Sequence, residues 1–260
     1  MNTDLSKYNP EGSVLRSAQM RMLDILIEVD KILKENKIEY WLAYGTCLGA
    51  VRHQGFIPWD DDLDIGVLKK DYKKIRILLQ QKLPKQYVFQ DYSTDPLYFY
   101  KFGKVRDKNS RMEESYWKVK EKGVFIDIFP VEPTISFRMK KGIDFLYRSS
   151  FKRLRNWNNT KGGKMLSYLV FPMAAVLATG ARLLSKVAPV NKMVTSYGVP
   201  FFAKIYHDHV FPCKKITFEG HEFMGPQNVD AYLKTIYGDY MKIPEEQNRQ
   251  VHALGEIELF

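Results

Sequence analysis

The sequence predicts an α/β fold of the α+β kind, a mixed sheet core with a helical elaboration toward the C-terminus. Three observations carry this. Apolar residues recur at helical spacing over 13–37. Short runs of strand length follow at 38–44, 63–68 and 123–129. From Pro133 the pattern turns helical through Tyr206. With 260 residues, 45% of them hydrophobic and 14% aromatic, the chain can bury a full core. Three stretches are expected: a core at 1–133, a mostly helical basic and apolar segment at 134–210, and a C-terminal segment at 211–260 that returns to the core.

Taken in order, Leu15, Met22, Leu23, Leu26, Val29, Ile32 and Leu33 fall on one face of a helix over 13–37. A strand is expected at 38–44, a short helix at 46–53, a second strand at 63–68 and a helix at 69–83 with Tyr72, Ile75, Leu78 and Leu79 inward. Residues 87–92 and 98–106 alternate aromatic and polar side chains and predict further strands. The run GVFIDIF at 123–129 is an apolar strand with one acid, Asp127. A hairpin is expected near 214–223.

Four aspartates, Asp60, Asp61, Asp62 and Asp64, occupy five positions directly before the second strand. They would repel one another strongly unless a cation sat among them. In a strand of period two, Asp62 and Asp64 share a face while Leu63 and Ile65 enter the core. Paired carboxylates of this kind suit Mg²⁺ or Mn²⁺, which keep several waters and bridge to substrate phosphates. Phe56, Ile57, Pro58 and Trp59 set apolar bulk just ahead, which argues against a freely solvated acidic face. Gly45 and Thr46 lie at a strand-to-helix turn, where backbone N–H groups can receive a phosphate. A glycine turn followed by Asp-x-Asp on the next strand is the logic of a metal-dependent nucleotidyltransferase. No Walker loop, Rossmann glycine fingerprint or Ser-His-Asp pattern occurs.

The segment GTCLGAVRHQGFIPWDDDLDIGV closely resembles the signature of the LicD family of phosphocholine (phospho-alcohol) transferases, which includes the fukutin-related proteins. A second stretch, FEGHEFMGPQNVDAYLKTIYGDYMKIP, is similar to the family's closing segment. The resemblance runs from about Leu23 to Arg249; Cys47 departs from it, standing where the family more often has an aliphatic residue. It implies a nucleotidyltransferase-like fold and a metal-dependent transfer of phosphocholine from CDP-choline to a sugar hydroxyl of a lipopolysaccharide, teichoic acid or capsule glycan, with release of CMP. CDP-ribitol or CDP-glycerol are alternative donors. A nucleic-acid-binding nucleotidyltransferase is the rival activity, and an inactive scaffold the rival class; intact Asp62, Asp64 and Asp127 argue against the scaffold.

Asp127 fits the third carboxylate that such folds place on a neighbouring strand, as a metal ligand and as acceptor of the hydroxyl proton. The catalytic and metal set expected is thus Asp62, Asp64 and Asp127. Gly45, Thr46, Arg52, Lys104, Arg106, His221 and Tyr237 are the expected substrate contacts. Arg52 faces donor phosphate or braces the acidic loop. Lys104 and Arg106 alternate on one strand face. His221 and Tyr237 line the donor or acceptor pocket, where aromatic rings suit a choline head group.

A net charge of +10 points to an anionic partner. From Arg138 to Lys164 nine Lys or Arg residues, Lys152, Arg153 and Arg155 among them, accompany one acid, Asp144, and are interleaved with aromatic side chains. Such a mixture fits an anionic membrane surface or single-stranded nucleic acid. It precedes an uncharged run of seventeen residues, Met165 to Ala181, which is short for a span and is interrupted by Pro172. The N-terminus has no apolar signal, and two cysteines make neither a disulfide framework nor a zinc site. The expected location is the cytoplasm, peripheral on the inner face of the membrane, where a lipid-linked glycan acceptor would be met.

Overall fold

The computed structural model describes residues 5, 7–98, 100–112, 119–155, 161–188, 190–249 and 257–260, with the side chains of 151–164 and 167 outside that description. Lys152, Arg153 and Arg155 therefore fall outside the described side chains. The elements run α1 (Val14–Glu35), β1 (Tyr40–Leu42), α2 (Tyr44–His53), β2 (Asp64–Leu68), α3 (Lys69–Lys82), β3 (Tyr87–Gln90), β4 (Gly103–Asp107), β5 (Ser110–Met112) and β6 (Phe125–Pro133). They continue as α4 (Phe137–Arg155), α5 (Lys161–Val187), β7 (Lys192–Thr195), β8 (Ile205–Tyr206), α6 (His207–Val210), β9 (Lys214–Phe218), β10 (His221–Gly225), α7 (Val229–Tyr237) and β11 (Ile257–Leu259).

The sheet has the order β1-β2-β6-β4-β3, with β7 on the far half of β6 and β8 beside β7. The β2–β6 pair is parallel and the other pairs of this sheet are antiparallel, so the sheet is mixed as the sequence predicts. Strand β6 is the organiser. Its first half lies between β2 and β4, its second between β2 and β7, and Ile126, Ile128 and Val131 are fully buried. Helix α1 starts where the Ser13 side chain accepts a hydrogen bond from Arg16 N–H at 3.2 Å, a common N-cap. It buries Met22, Ile25, Leu26, Val29 and Leu33, the predicted face.

Two expectations differ from what forms, and one strand pairing was not expected. The stretch 134–206 is helical only to Val187, because Met193–Thr195 of β7 pairs with Val131–Pro133 and covers an edge that β4 leaves open. The predicted strand at 98–106 begins only at Gly103, since Tyr98, Tyr100 and Phe102 instead gather in a ring cluster. Strands β5 and β11 pair with each other across most of the chain, and nothing local in the sequence announces that pairing. The cysteines are free thiols, Cys47 buried and Cys213 half-buried, and burial pushes both up to about 12.

The β9–β10 hairpin braces the acidic loop from outside the sheet. At its turn Glu219 accepts two hydrogen bonds from the Arg16 guanidinium of α1, at 2.9 and 2.7 Å, and one from Phe56 N–H at 3.0 Å. Its own N–H donates to Gln54 O at 2.9 Å. Glycine is needed in the segment so held: a side chain at Gly49 would meet Gly55 O at 2.4 Å, so α2 and the loop touch backbone to backbone. Replacing Glu219 by Ala leaves Arg16 without this partner and frees the loop. The expected cost is about 2 kcal/mol, read as a lower urea midpoint with unchanged slope. A midpoint within error of the wild type would show that the hairpin does not brace the loop.

Candidate active site

Strand register places three charged side chains in one row. Asp64 of β2 pairs with Asp127 of β6, and Asp127 pairs with Lys104 of β4. Residues that pair across a sheet present side chains to the same face, so the three meet at the floor of one cleft of about 750 Å³. Asp60 and Asp62 enter it from the loop before β2, while Leu63 and Ile65 are fully buried on the other side. The alternation expected from the sequence is the one observed.

The electrostatics are set by burial. Asp64 is 9% exposed and its Oδ1 has no hydrogen-bond partner. Its pKa lies well above the ordinary carboxylate range, first because burial penalises the charged form, then through repulsion by Asp62, Asp127 and Asp60, with Lys104 opposing. Asp127 is differently held, with Oδ1 2.6 Å from Lys104 Nζ. That ammonium sits 3.3 Å from the centre of the Phe125 ring.

Thr46 is turned inward. Its hydroxyl accepts from Asp64 N–H at 2.7 Å, so it fixes the start of β2 and does not line the cleft. Gly45 does line it, and a Cβ there would lie 3.1 Å from Asp60 Oδ2; a carboxylate thus sits at the N-terminal turn of α2, where the helix favours negative charge. Tyr44, first residue of that helix, has φ of 44°. A left-handed residue of this kind costs roughly 1–2 kcal/mol. Its N–H is 3.3 Å from the Tyr232 hydroxyl, and its ring meets Phe129 and Phe201 edge-on.

Arg52 lines the cleft and also braces it. Its Nη1 donates to Tyr240 O at 2.8 Å and its Nε to His53 Nε2 at 2.9 Å. Burial and the adjacent Arg52 push the His53 imidazole down to about 4. The segment from Tyr237 to Arg249 forms the outer wall and adds Lys242 and Arg249, the latter 4.5 Å from the Trp59 ring centre. Tyr237 is therefore at the cleft, as expected. Arg106 and His221 are not. Arg106 is 2% exposed, shares the face of Lys104, and is engaged beside it, donating to Gln90 Oε1 at 2.6 Å and Gly123 O at 2.9 Å, so it does not line the cleft. His221 is exposed at the start of β10, outside the cleft.

Sequence reasoning missed one wall. Tyr100, Phe102, Phe129, Phe201 and Phe202 line the cleft opposite the outer segment. Tyr100 stacks on Phe102 at 5.1 Å, and Phe102 meets Phe129 at 4.6 Å. The signal was the aromatic density of 98–102, read as strand alternation. Phe201 and Phe202 arrive from the turn between β7 and β8, which the helical reading hid.

Asp62 and Asp64 fit a divalent cation of the kind that takes one or two protein carboxylates and completes its shell with phosphate and water. The orphaned, protonation-prone Asp64 oxygen is the observation that favours it. Among the described residues no three His, Cys, Asp or Glu side chains are gathered closely enough to hold an ion by themselves; Asp127, the third carboxylate expected, has its Oδ1 2.6 Å from Lys104 Nζ.

Residues 37–160 match the family model described as LicD/FKTN/FKRP, nucleotidyltransferase domain. The chain is 29% identical over 262 residues to the lipopolysaccharide cholinephosphotransferase LicD of Haemophilus influenzae, a match covering 93% of this chain and 97% of that one. It is 37% identical over 89 residues to the ribitol-5-phosphate transferase FKTN of Mus musculus, covering 34% of this chain and 16% of that protein. An uncharacterized protein of Rickettsia prowazekii, RP689, is 46% identical over 81 residues, 31% of this chain and 27% of that one.

The raised pKa of Asp64 has a consequence for stability. A carboxyl that binds its proton more tightly when folded contributes its full stability below the unfolded pKa, and loses that contribution as pH rises from there through the folded pKa. Asp64→Asn keeps the shape without the charge. In metal-free buffer the variant is expected to melt above the wild type at pH 7, and the gain is expected to shrink as pH falls toward 4. A lower melting temperature at pH 7 would contradict the assigned protonation.

Proposed function

Residues 37–160 are a LicD-family nucleotidyltransferase domain, and from that premise we propose that the chain is a transferase that moves a phospho-alcohol group, phosphocholine from CDP-choline, onto a sugar hydroxyl of a cell-surface glycan. The observation that carries the reading is the composition of the cleft: a carboxylate floor at one side, cations at the rim, and an aromatic wall facing them.

Each part has work in that reaction. Arg52, Lys242 and Arg249 offer positive charge to the donor diphosphate. Asp62 and Asp64 would hold Mg²⁺ or Mn²⁺, which when bound neutralises charge on the phosphoryl oxygens. The acceptor oxygen attacks the phosphorus that carries choline, the bond from that phosphorus to the bridging oxygen breaks, and CMP leaves with that oxygen. The hydroxyl proton goes to Asp127. Phosphoryl transfer proceeds through a loose transition state in which placing the nucleophile matters more than strong basicity, so a carboxylate oriented by Lys104 suffices. Tyr100, Phe102, Phe129 and Phe201 supply ring faces for a quaternary ammonium, which cation–π attraction favours by about 0.5–2 kcal/mol. Ribitol or glycerol would gain nothing from those rings, and this favours choline over the other donors.

Three outcomes are expected. CDP-choline with Mg²⁺ raises the melting temperature, EDTA abolishes the rise, and ATP or GTP gives little, since only a ligand of the native state stabilises it. With donor and glycan acceptor supplied, Asp62→Asn and Asp64→Asn turn over at below about a tenth of the wild-type rate. Phe201→Ala raises the KM for CDP-choline roughly fivefold, about 1 kcal/mol, and leaves that for CDP-glycerol unchanged. Equal protection by all nucleotides, with pyrophosphate as product from a nucleoside triphosphate, would overturn the reading in favour of a general nucleotidyltransferase.

A further inference from the structure

Helices α4 and α5 pack on each other beside the sheet through small and aromatic side chains, Ile143 and Tyr147 on one and Ala174, Ala178 and Ala181 on the other, with Tyr197 between. The other face of α5 is apolar and open. Leu169 is 65% exposed, Val176 70%, Leu183 58% and Val187 83%. Met165 continues the same stripe, which at 1.5 Å per residue runs about 33 Å. Soluble monomers rarely leave so long an apolar strip to water, and such patches mark interaction surfaces.

Length and composition would let Tyr168–Val187 cross a bilayer, and only 22% of that window is buried. Its attachments argue otherwise. Arg182 near the end of α5 donates to both oxygens of Glu132 on β6, at 2.6 and 3.0 Å, and Ser185 is buried. A spanning helix would have to withdraw these groups and the alanine face from the protein. Held as it is, α5 lies along the flank with one side free. The neighbouring helix supplies charge: Arg138, Lys141 and Arg148 are exposed on α4 at helical spacing, with Phe145, 69% exposed, among them. An apolar stripe beside a cationic one is complementary to an anionic phospholipid surface.

We propose that the α4–α5 pair is a monotopic docking surface for an anionic bilayer, with α5 parallel to the membrane plane and its exposed residues in the headgroup and upper acyl layer. The docking stands on this face alone. It rests on the transferase reading only for its consequence, that the glycan acceptor is carried on a lipid: Phe202 of the cleft wall touches Phe137 of α4 at 6.3 Å and lies 4.7 Å from Lys141 Nζ, so a docked α4 brings the cleft to the surface.

The test is co-sedimentation of the full chain with vesicles of phosphatidylcholine alone or mixed with phosphatidylglycerol. Binding to the mixed vesicles is expected, weakened roughly tenfold or more between about 50 and about 500 mM salt, with little binding to neutral ones. Arg138→Gln with Arg148→Gln is expected to weaken anionic binding at least tenfold. Val176→Glu with Leu183→Glu is expected to abolish it, while both variants keep the CDP-choline melting shift that reports an intact cleft. Failure of the wild type to bind mixed vesicles at low salt overturns the proposal. So does a soluble dimer that Val176→Glu dissociates without vesicle binding, which would assign the face to a second copy, or resistance to alkaline extraction from membranes, which would make α5 a span. Vesicle binding without a nucleotide shift would leave docking in place and remove the transferase reading; the reverse would do the opposite.

Discussion

Two carboxylates face each other across a parallel strand pair, Asp64 on β2 and Asp127 on β6, with Asp60 and Asp62 standing over them. Like charges so placed in partly dry surroundings cost free energy unless something positive answers them. Much of the architecture is that answer. Lys104 reaches Asp127 from the next strand, the N-terminal turn of α2 lies beside Asp60, and Arg52 rises from the far end of the same helix. Asp64 Oδ1 is buried without a hydrogen-bond partner, and a cation or a proton is what would relieve it.

Holding such a cluster requires a rigid frame, because repulsion would otherwise spread it. The frame is built from contacts distant in sequence. Thr46 pins the first residue of β2, Glu219 clamps the acidic loop to α1, and Tyr232 of α7 faces the strained N–H of Tyr44. The C-terminal segment is thus structural and functional at once: its hairpin steadies the loop from behind, and its outer stretch walls the cleft from the front.

Local pattern made much of this legible, and the limits were also physical. The faces of α1 and α3, the alternation of Asp62 and Asp64 against Leu63 and Ile65, and the buried acid of β6 follow from periodicities of 3.6 and 2, which a sequence displays directly. That Asp127 adjoins both Asp64 and Lys104 is a matter of strand order, which no local pattern contains. Arg106 and Lys104 look equivalent in the sequence and share a strand face; Gln90 and Gly123 take up the Arg106 guanidinium, while the Lys104 ammonium reaches Asp127 in the cleft. His221 sits in a family-like segment whose hairpin faces away from the site. The aromatic wall was hidden because Phe201 and Phe202 reach the cleft from a turn between two short strands, inside a stretch whose apolar pattern reads as helix.

The chemistry of the site therefore turns on the protonation of one side chain. A ¹³C NMR titration of aspartate-labelled protein, with Asp64 assigned by its loss in the Asn variant, follows that carboxyl directly. In metal-free protein it is expected to titrate well above the ordinary aspartate range, because burial and its acidic neighbours disfavour the charged form. Adding Mg²⁺ with CDP-choline is expected to bring the midpoint down, since a bound cation reverses the local field. An Asp64 carboxyl that ionises at the usual aspartate pH without metal, and does not respond to metal and donor, would contradict the role given to this cluster.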